Sequence, residues 1–202
     1  MPQILPRLVL ASGSPRRRQV LQGLGLSPEV RPADVDESPL PGEAPVPYVE
    51  RLARLKATAQ AAPGELVLAA DTIVALEGEL LGKPEGAEDA RRMLRRLADR
   101  EHLVATGVAL FRSAADGARD RLLSDVSVST VRFTPLTEEQ IAWYVATGEP
   151  LDKAGAYGIQ GLGALFVESI EGNYGNIVGL PLPATARLFD EMGWGLLSFR
   201  ET

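Results

Sequence analysis

Cysteine is absent from this chain of 202 residues, and histidine occurs once, as His102. The first absence excludes disulfides and thiol chemistry. The two together leave no zinc donor set, and a Ser/His/Asp triad is not credible around the one histidine. Any metal is therefore expected to be a hard cation held by carboxylates, magnesium first and manganese second. Long apolar runs are missing as well, since none approaches the roughly 20 residues of a membrane span. The opening MPQILPRLVLASGS lacks the basic start and continuous apolar core of a signal peptide. A cytoplasmic protein with no membrane partner is expected. Basic residues are outnumbered, 21 against 27 acidic, for a net charge of −6. That balance argues against non-specific binding of nucleic acid.

What is present is an ordinary globular composition, 45% hydrophobic and 24% charged, with mean hydropathy near zero. It suffices for one sizeable core, and a single domain over 1–202, folded as two lobes, is expected. Arg7–Ala11 reads as a strand, followed by a turn and a helix from about Pro15 to Leu24, stopped by Gly25. Val30 to Pro45, rich in proline and acid, reads as a surface loop. The spacing of Val49, Leu52, Ala53 and Leu55 or Lys56 predicts a helix over about Pro47 to Ala62.

Leu66 to Ala70 is a continuous apolar run, a buried strand ending at Asp71-Thr72. Ile73–Leu81 reads as a hairpin around Glu77-Gly78, and Glu88 to Leu97 as an amphipathic helix. Strands follow at Leu103–Arg112 and Leu122–Phe133. Thr137 and Gln140 form a capping box for a helix to about Ala146. The glycine-dense Lys153–Gly163 reads as a loop, Ala164–Ile170 as a strand, and Pro181–Met192 as a closing helix. Strands and helices mix without strict alternation, so the expected fold is α/β with a mixed sheet.

The stretch Ser12-Gly13-Ser14-Pro15-Arg16-Arg17-Arg18 poses an electrostatic problem. A helix N-terminus carries roughly half a positive charge, so arginines there cost a few tenths of a kcal/mol each. A polyphosphate on that terminus would turn the cost into binding, because backbone N–H groups, hydroxyls and guanidinium forks converge on it. A solvated basic cluster is the plainer alternative. Asp71, at its strand end, is placed like an active-site carboxylate or like a turn aspartate. Asp36 and Glu37 would hold a cation or activate water, or serve solubility alone. Lys83, between Gly82 and Pro84, would pair with a phosphate or simply lie exposed. His102 reads as a turn or strand-start residue, and Arg91, Arg92, Arg95 and Arg96 as a solvated face. The amide of Gln160 offers a donor and an acceptor together, which suits a base edge.

Four segments taken in order, LASGSPRRRQVL, AADTIVALEGELLGKP, LDKAGAYGIQGLGALFV and NYGNIVGLPL, resemble the Maf (septum formation inhibitor) family of nucleoside triphosphate pyrophosphatases. The likeness runs from Leu8 to about Phe189, with Arg18 and the Pro39–Pro47 loop as local departures. The resemblance implies a twisted mixed sheet flanked by helices in two lobes about a cleft, often as a homodimer. It implies metal-dependent hydrolysis between the α- and β-phosphates. By the same resemblance Ser12, Arg16 and Arg17 fall on the phosphate-binding motif, and Lys56 and Lys83 on lysines at the phosphates. Asp71 falls on the proton acceptor, and Glu37 on an acidic position that helps with metal or water, which makes Glu37 and Asp71 the implied metal ligands. Arg16, Thr72 and Gln160 match positions linked to specificity in the branch acting on dTTP and UTP, rather than the one preferring 7-methyl-GTP. Two other classes stay open: a nucleotidyltransferase, which would need a sugar phosphate, and a non-catalytic regulator of septum formation.

Overall fold

An apolar run such as Leu66–Ala70 needs cover on both faces, and its polar neighbours Asp71 and Thr72 need partners if the strand is to continue. In the computed structural model, which describes residues 5–114 and 119–200, it does continue. The strands are β1 (Arg7–Leu10), β2 (Glu29–Val30), β3 (Glu65–Leu76), β4 (Glu79–Leu81), β5 (Glu101–Arg112), β6 (Arg121–Phe133) and β7 (Val167–Glu171). They form one mixed sheet in the order β2-β1-β3-β5-β6-β7, with β4 also beside β3. Helices α1 (Pro15–Gly23), α2 (Pro45–Ala59), α3 (Ala87–Leu97), α4 (Glu138–Ala146), α5 (Tyr174–Val178) and α6 (Leu182–Met192) flank it. The expected α/β fold with a mixed sheet is the one observed. No helix among the described residues is long and apolar enough to cross a membrane.

β3 is the axis of the sheet. Along one edge β5 pairs with it without a break, from Leu66 opposite Arg112 to Ala75 opposite Leu103. The strand therefore does not end at Asp71 as its polarity suggests, because the antiparallel ladder carries the backbone through. Along the other edge β3 changes partner: β1 runs parallel to Glu65–Leu68, and β4 antiparallel to Val74–Leu76. Ala69 to Ile73 lie between the two, where no strand pairs with that edge among the described residues. Side-chain alternation sends Val67, Ala69 and Ile73 toward α2, and Leu66, Leu68 and Ala70 toward α6. Asp71 thus shares the α2 face, and Thr72 faces the opposite way.

α2 begins at Pro45, two residues before the expected Pro47, since both prolines fit a first turn whose N–H groups have no helical partner. Its buried stripe is Tyr48, Val49, Leu52, Ala53, Lys56 and Ala57, so Lys56 takes the inward place and Leu55 stays exposed. Gly107 on β5 permits the close approach: a Cβ there would lie 2.3 Å from the Val49 carbonyl oxygen. The proline-rich loop after β2 is tied to α2. The Tyr48 hydroxyl donates to the Glu37 carbonyl at 2.9 Å, and Arg51 donates to Glu43 at 2.7 and 2.6 Å and to the Ser38 carbonyl.

Three expectations change. Ala164–Ile170 is a strand only from Val167, because Leu162–Phe166 coils as a 3₁₀ turn. Lys153–Gly163 contains short 3₁₀ turns rather than a plain loop. α5, capped by Asn173 and ended by Gly179 at φ 109°, was not expected, since five residues are too few to show a helical period. The β3–β4 hairpin turns at Glu77-Gly78 as expected, both residues having positive φ.

His102 lies inside β5 and is buried, its Nε2 2.8 Å from the Tyr157 hydroxyl and its ring edge-on to Phe133. Burial pushes its pKa down to about 4. The unfolded chain therefore takes up a proton near pH 6.5 that the folded chain refuses, so stability falls as pH drops from about 6.5 toward 4. His102 accounts for about 3 kcal/mol of that fall. Urea unfolding at a series of pH values should show a flatter slope for His102→Gln over that window. Gly107→Ala should destabilise by at least about 2 kcal/mol by forcing α2 off the sheet. The same variant should lose turnover, because α2 carries Lys56; melting and activity assays on one preparation check both.

Candidate active site

The open stretch of β3 meets the N-terminus of α1. Ser14 occupies the N-cap position but makes no capping bond, and its own N–H goes to Ser12 Oγ at 3.2 Å. The helix therefore presents uncapped amides and a partial positive charge to its surroundings. What it presents them to is a cavity of about 500 Å³. Ser12, Arg16, Arg17, Glu37, Lys56, Asp71, Thr72 and Lys83 all line it. Eight of the residues singled out from the sequence are thus brought together from the β1–α1 turn, α1, the 31–44 loop, α2, β3 and the β4–α3 connection.

At its floor the Lys56 ammonium sits 2.6 Å from Asp71 Oδ1 and 2.7 Å from Glu37 Oε1. The side chains of Lys56 and Asp71 are 9% and 11% exposed, so this contact is made in a low dielectric. Burial pushes the Asp71 carboxyl above its usual value, outweighing the pull of Lys56 and Arg17, and Glu37 adds to the rise. A carboxylate made harder to keep ionised is a stronger base toward water.

Among the described residues no group of three His, Asp or Glu side chains is placed to hold a metal alone. Magnesium is commonly held by one or two carboxylates together with substrate phosphates. Glu37 and Asp71 supply that donor set, and both already turn oxygens toward one cation, the Lys56 ammonium. The residues therefore fit a divalent ion that arrives with a phosphate chain, and not one held in a protein cage.

The three arginines separate. Arg18 is exposed on the helix. Arg17 turns inward: Nε donates to the Gly179 carbonyl at 2.8 Å, Nη1 to Ser12 Oγ at 2.9 Å and Nη2 to Thr72 Oγ1 at 3.0 Å. It ties the turn after β1 to β3 and to the end of α5, and burial lowers the pKa of its guanidinium. Arg16 lines the cavity and makes no ion pair or side-chain hydrogen bond among the described residues. Thr72 is committed too. Its hydroxyl accepts from Arg17 and lies 2.9 Å from Thr106 Oγ1, which donates to the Asn176 carbonyl at 2.8 Å. Gln160 stands apart, exposed and outside the cavity lining. Lys83 is exposed at the rim, without an ion pair among the described residues.

Sequence reasoning missed several participants. Tyr48 holds Glu37 by its backbone, and burial pushes its hydroxyl up to about 12, which keeps it a donor. Asn176, fully buried, donates to the Val104 carbonyl and to Ser129, fixing α5 against the sheet. Asp152 and Lys153 line the cavity as a 2.6 Å ion pair. Nothing local marks these residues; only Asp152, Lys153 and Asn176 fall inside segments that the sequence singled out.

Removing Arg16 and removing Arg17 should have different effects. Arg16→Ala should leave stability within about 0.5 kcal/mol and cut turnover by about 100-fold. Arg17→Ala should lose turnover and also about 1–3 kcal/mol of stability, since it strips partners from Gly179, Ser12 and Thr72. Denaturant titration beside a turnover assay separates the two.

Known proteins resemble this chain over most of its length. The family described as Maf, Maf-like protein, matches residues 7–192. A dTTP/UTP pyrophosphatase of Anaeromyxobacter dehalogenans (strain 2CP-C) is 57% identical over 191 residues, covering 95% of this chain and 96% of that protein. One from Aromatoleum aromaticum is 49% identical over 212 residues, covering 97% and 100%. Another, from Symbiobacterium thermophilum, is 47% identical over 196 residues, covering 96% and 98%.

Proposed function

The chain belongs to the Maf family, and from that premise we propose that it hydrolyses dTTP and UTP to the nucleoside monophosphate and pyrophosphate. The observation that carries the reading is the Lys56 ammonium held between Asp71 and Glu37 beside an uncapped, arginine-bearing helix N-terminus. A base, a general cation site and an anion cradle in one cavity are what phosphoanhydride hydrolysis requires. The relatives' names supply the two nucleotides.

The β- and γ-phosphates lie against the first turn of α1, with Ser12, Arg16 and Lys83 donating to their oxygens. Arg17 sets the cradle's shape and keeps two N–H groups for the phosphate chain. Asp71 accepts a proton from a water whose oxygen attacks the α-phosphorus. The bond from that phosphorus to the bridging oxygen breaks, and the electron pair leaves on pyrophosphate. Lys56, drawn to the phosphates, releases Asp71 to act as base and offsets the charge growing on the leaving group. Glu37 and Asp71 would hold a divalent metal, magnesium or manganese, which supplies charge neutralisation and a more acidic water when bound. Thr72 acts through Arg17 rather than by touching substrate, and Gln160 stays outside the cavity lining.

Incubation with Mg²⁺ and dTTP, UTP, CTP, ATP, GTP and 7-methyl-GTP, with products separated, tests the reading. Monophosphate plus pyrophosphate from dTTP and UTP is expected, with water as the only acceptor. Asp71→Asn should lower kcat by about 100-fold or more. Release of orthophosphate alone, or an undiminished Asp71→Asn enzyme, overturns the proposal.

A further inference from the structure

The cavity is lined by cations and by a wall without net charge. Arg16, Arg17, Lys56 and Lys83 are the cations, while Asp152 and Lys153, ion-paired with each other, and Tyr157, Gly158 and Ile159 make the wall. A triphosphate belongs with the cations, so the wall is left for the nucleoside. That wall belongs to a segment with no regular strand or helix to stiffen it. Its conformation has to be held from outside.

Glu149, a residue the mechanism does not use, holds it. Its Oε1 accepts from the Tyr144 hydroxyl at 2.9 Å and from the Gly163 N–H at 3.1 Å, and its Oε2 accepts from the Leu162 N–H at 3.0 Å. Tyr144, fully buried and packed edge-on to Phe166, passes the link on by accepting from the Gly158 N–H at 3.1 Å. One carboxylate therefore gathers both ends of the 158–163 segment. The segment is shaped to that carboxylate: Gly161 has φ +101°, and a Cβ there would lie 2.8 Å from Glu149 Oε2. Lys153, which lines the cavity, donates to the Glu149 carbonyl at 2.5 Å. A half-buried carboxylate with three donors on it is a stiff anchor.

We propose that Glu149 is a positioning residue for nucleoside recognition, holding Gly158 and Ile159 against the base end of the cavity. The assignment rests on the nucleotide pyrophosphatase reading and goes beyond it, by separating the group that shapes the base wall from those that hold phosphate. A change at Glu149 then weakens the nucleoside contribution to binding and leaves the triphosphate contribution alone.

Two ligands separate these contributions: α,β-methylene-UTP, which carries a base and is not cleaved between the α- and β-phosphates, and inorganic tripolyphosphate, which has no base. Their dissociation constants are measured by calorimetry on the full chain with Mg²⁺. For Glu149→Ala the nucleotide analogue should bind about tenfold more weakly and tripolyphosphate within about twofold of the parent. Glu149→Gln should recover part of the loss, because its amide oxygen still accepts from Tyr144 and Gly163. KM for UTP should rise in Glu149→Ala with kcat within about twofold. Equal weakening of both ligands, or an unchanged analogue constant in a folded variant, overturns the assignment. If Glu149→Ala does not fold, Tyr144→Phe decides: a weakening confined to the analogue supports the assignment, and none overturns it. A wild-type chain that binds the analogue yet hydrolyses neither dTTP nor UTP defeats the hydrolase reading, while the two constants still judge Glu149.

Discussion

An ammonium buried between two carboxylates is the arrangement on which the rest of the cavity depends. Lys56 is nearly buried, and its charge is met by Asp71 and by Glu37. Loss of one partner from such a contact leaves a buried charge uncompensated, at a cost of several kcal/mol. Three separate parts of the chain must therefore arrive in register. α2 must come close to the sheet, which Gly107 allows by having no side chain under Val49. The loop bearing Glu37 must be held, which Tyr48 and Arg51 do from the same helix. β3 must pass through its polar residues without turning, which the unbroken ladder to β5 ensures.

The second constraint is the change of partner along β3. A strand paired on both edges would bury Asp71 under neighbours and close it to a ligand. Here β1 stops at Leu10 and β4 begins at Glu79, and within the gap between them Asp71, Thr72 and Ile73 line the cavity. Side chains from both faces of the sheet reach that opening. Asp71 and Lys56 come from the α2 side, while Thr72 and Arg17 come from the other with Gly179 behind them. It is the mixed-sheet counterpart of the crevice that forms where strand order reverses in open parallel sheets.

The arginines at the start of α1 no longer pose a contradiction. Only one of the three is structural: Arg17 is bound to Ser12, Thr72 and Gly179 and fixes the turn that shapes the helix end. Arg16 is left facing the cavity, and Arg18 faces solvent. The positive field that disfavours them in an empty site is the same field that would hold a phosphate chain.

Local chemistry in the chain determined much of this. The strand-turn-helix at Leu8–Leu21, the inward stripe of α2, the capping box at Thr137 and the Glu77-Gly78 hairpin each follow from short-range rules of period, cap and turn. So do several of the residues that gather at the cavity, because Ser12, Arg16, Arg17 and Lys83 sit beside glycine turns that are visible in order, and Asp71 follows an apolar run. What the tertiary structure alone decided concerns partners far apart along the chain. That β3 runs on past Asp71 depends on β5, more than thirty residues away, and that Thr72 serves Arg17 depends on which face the pleat gives it. The place of Gln160 outside the cavity and the hold of Glu149 on Gly163 and Leu162 depend on α4 and Tyr144. Sequence spacing reports which residues neighbour one another along the backbone; hydrogen bonds across tens of residues are settled only when the sheet and its helices have packed.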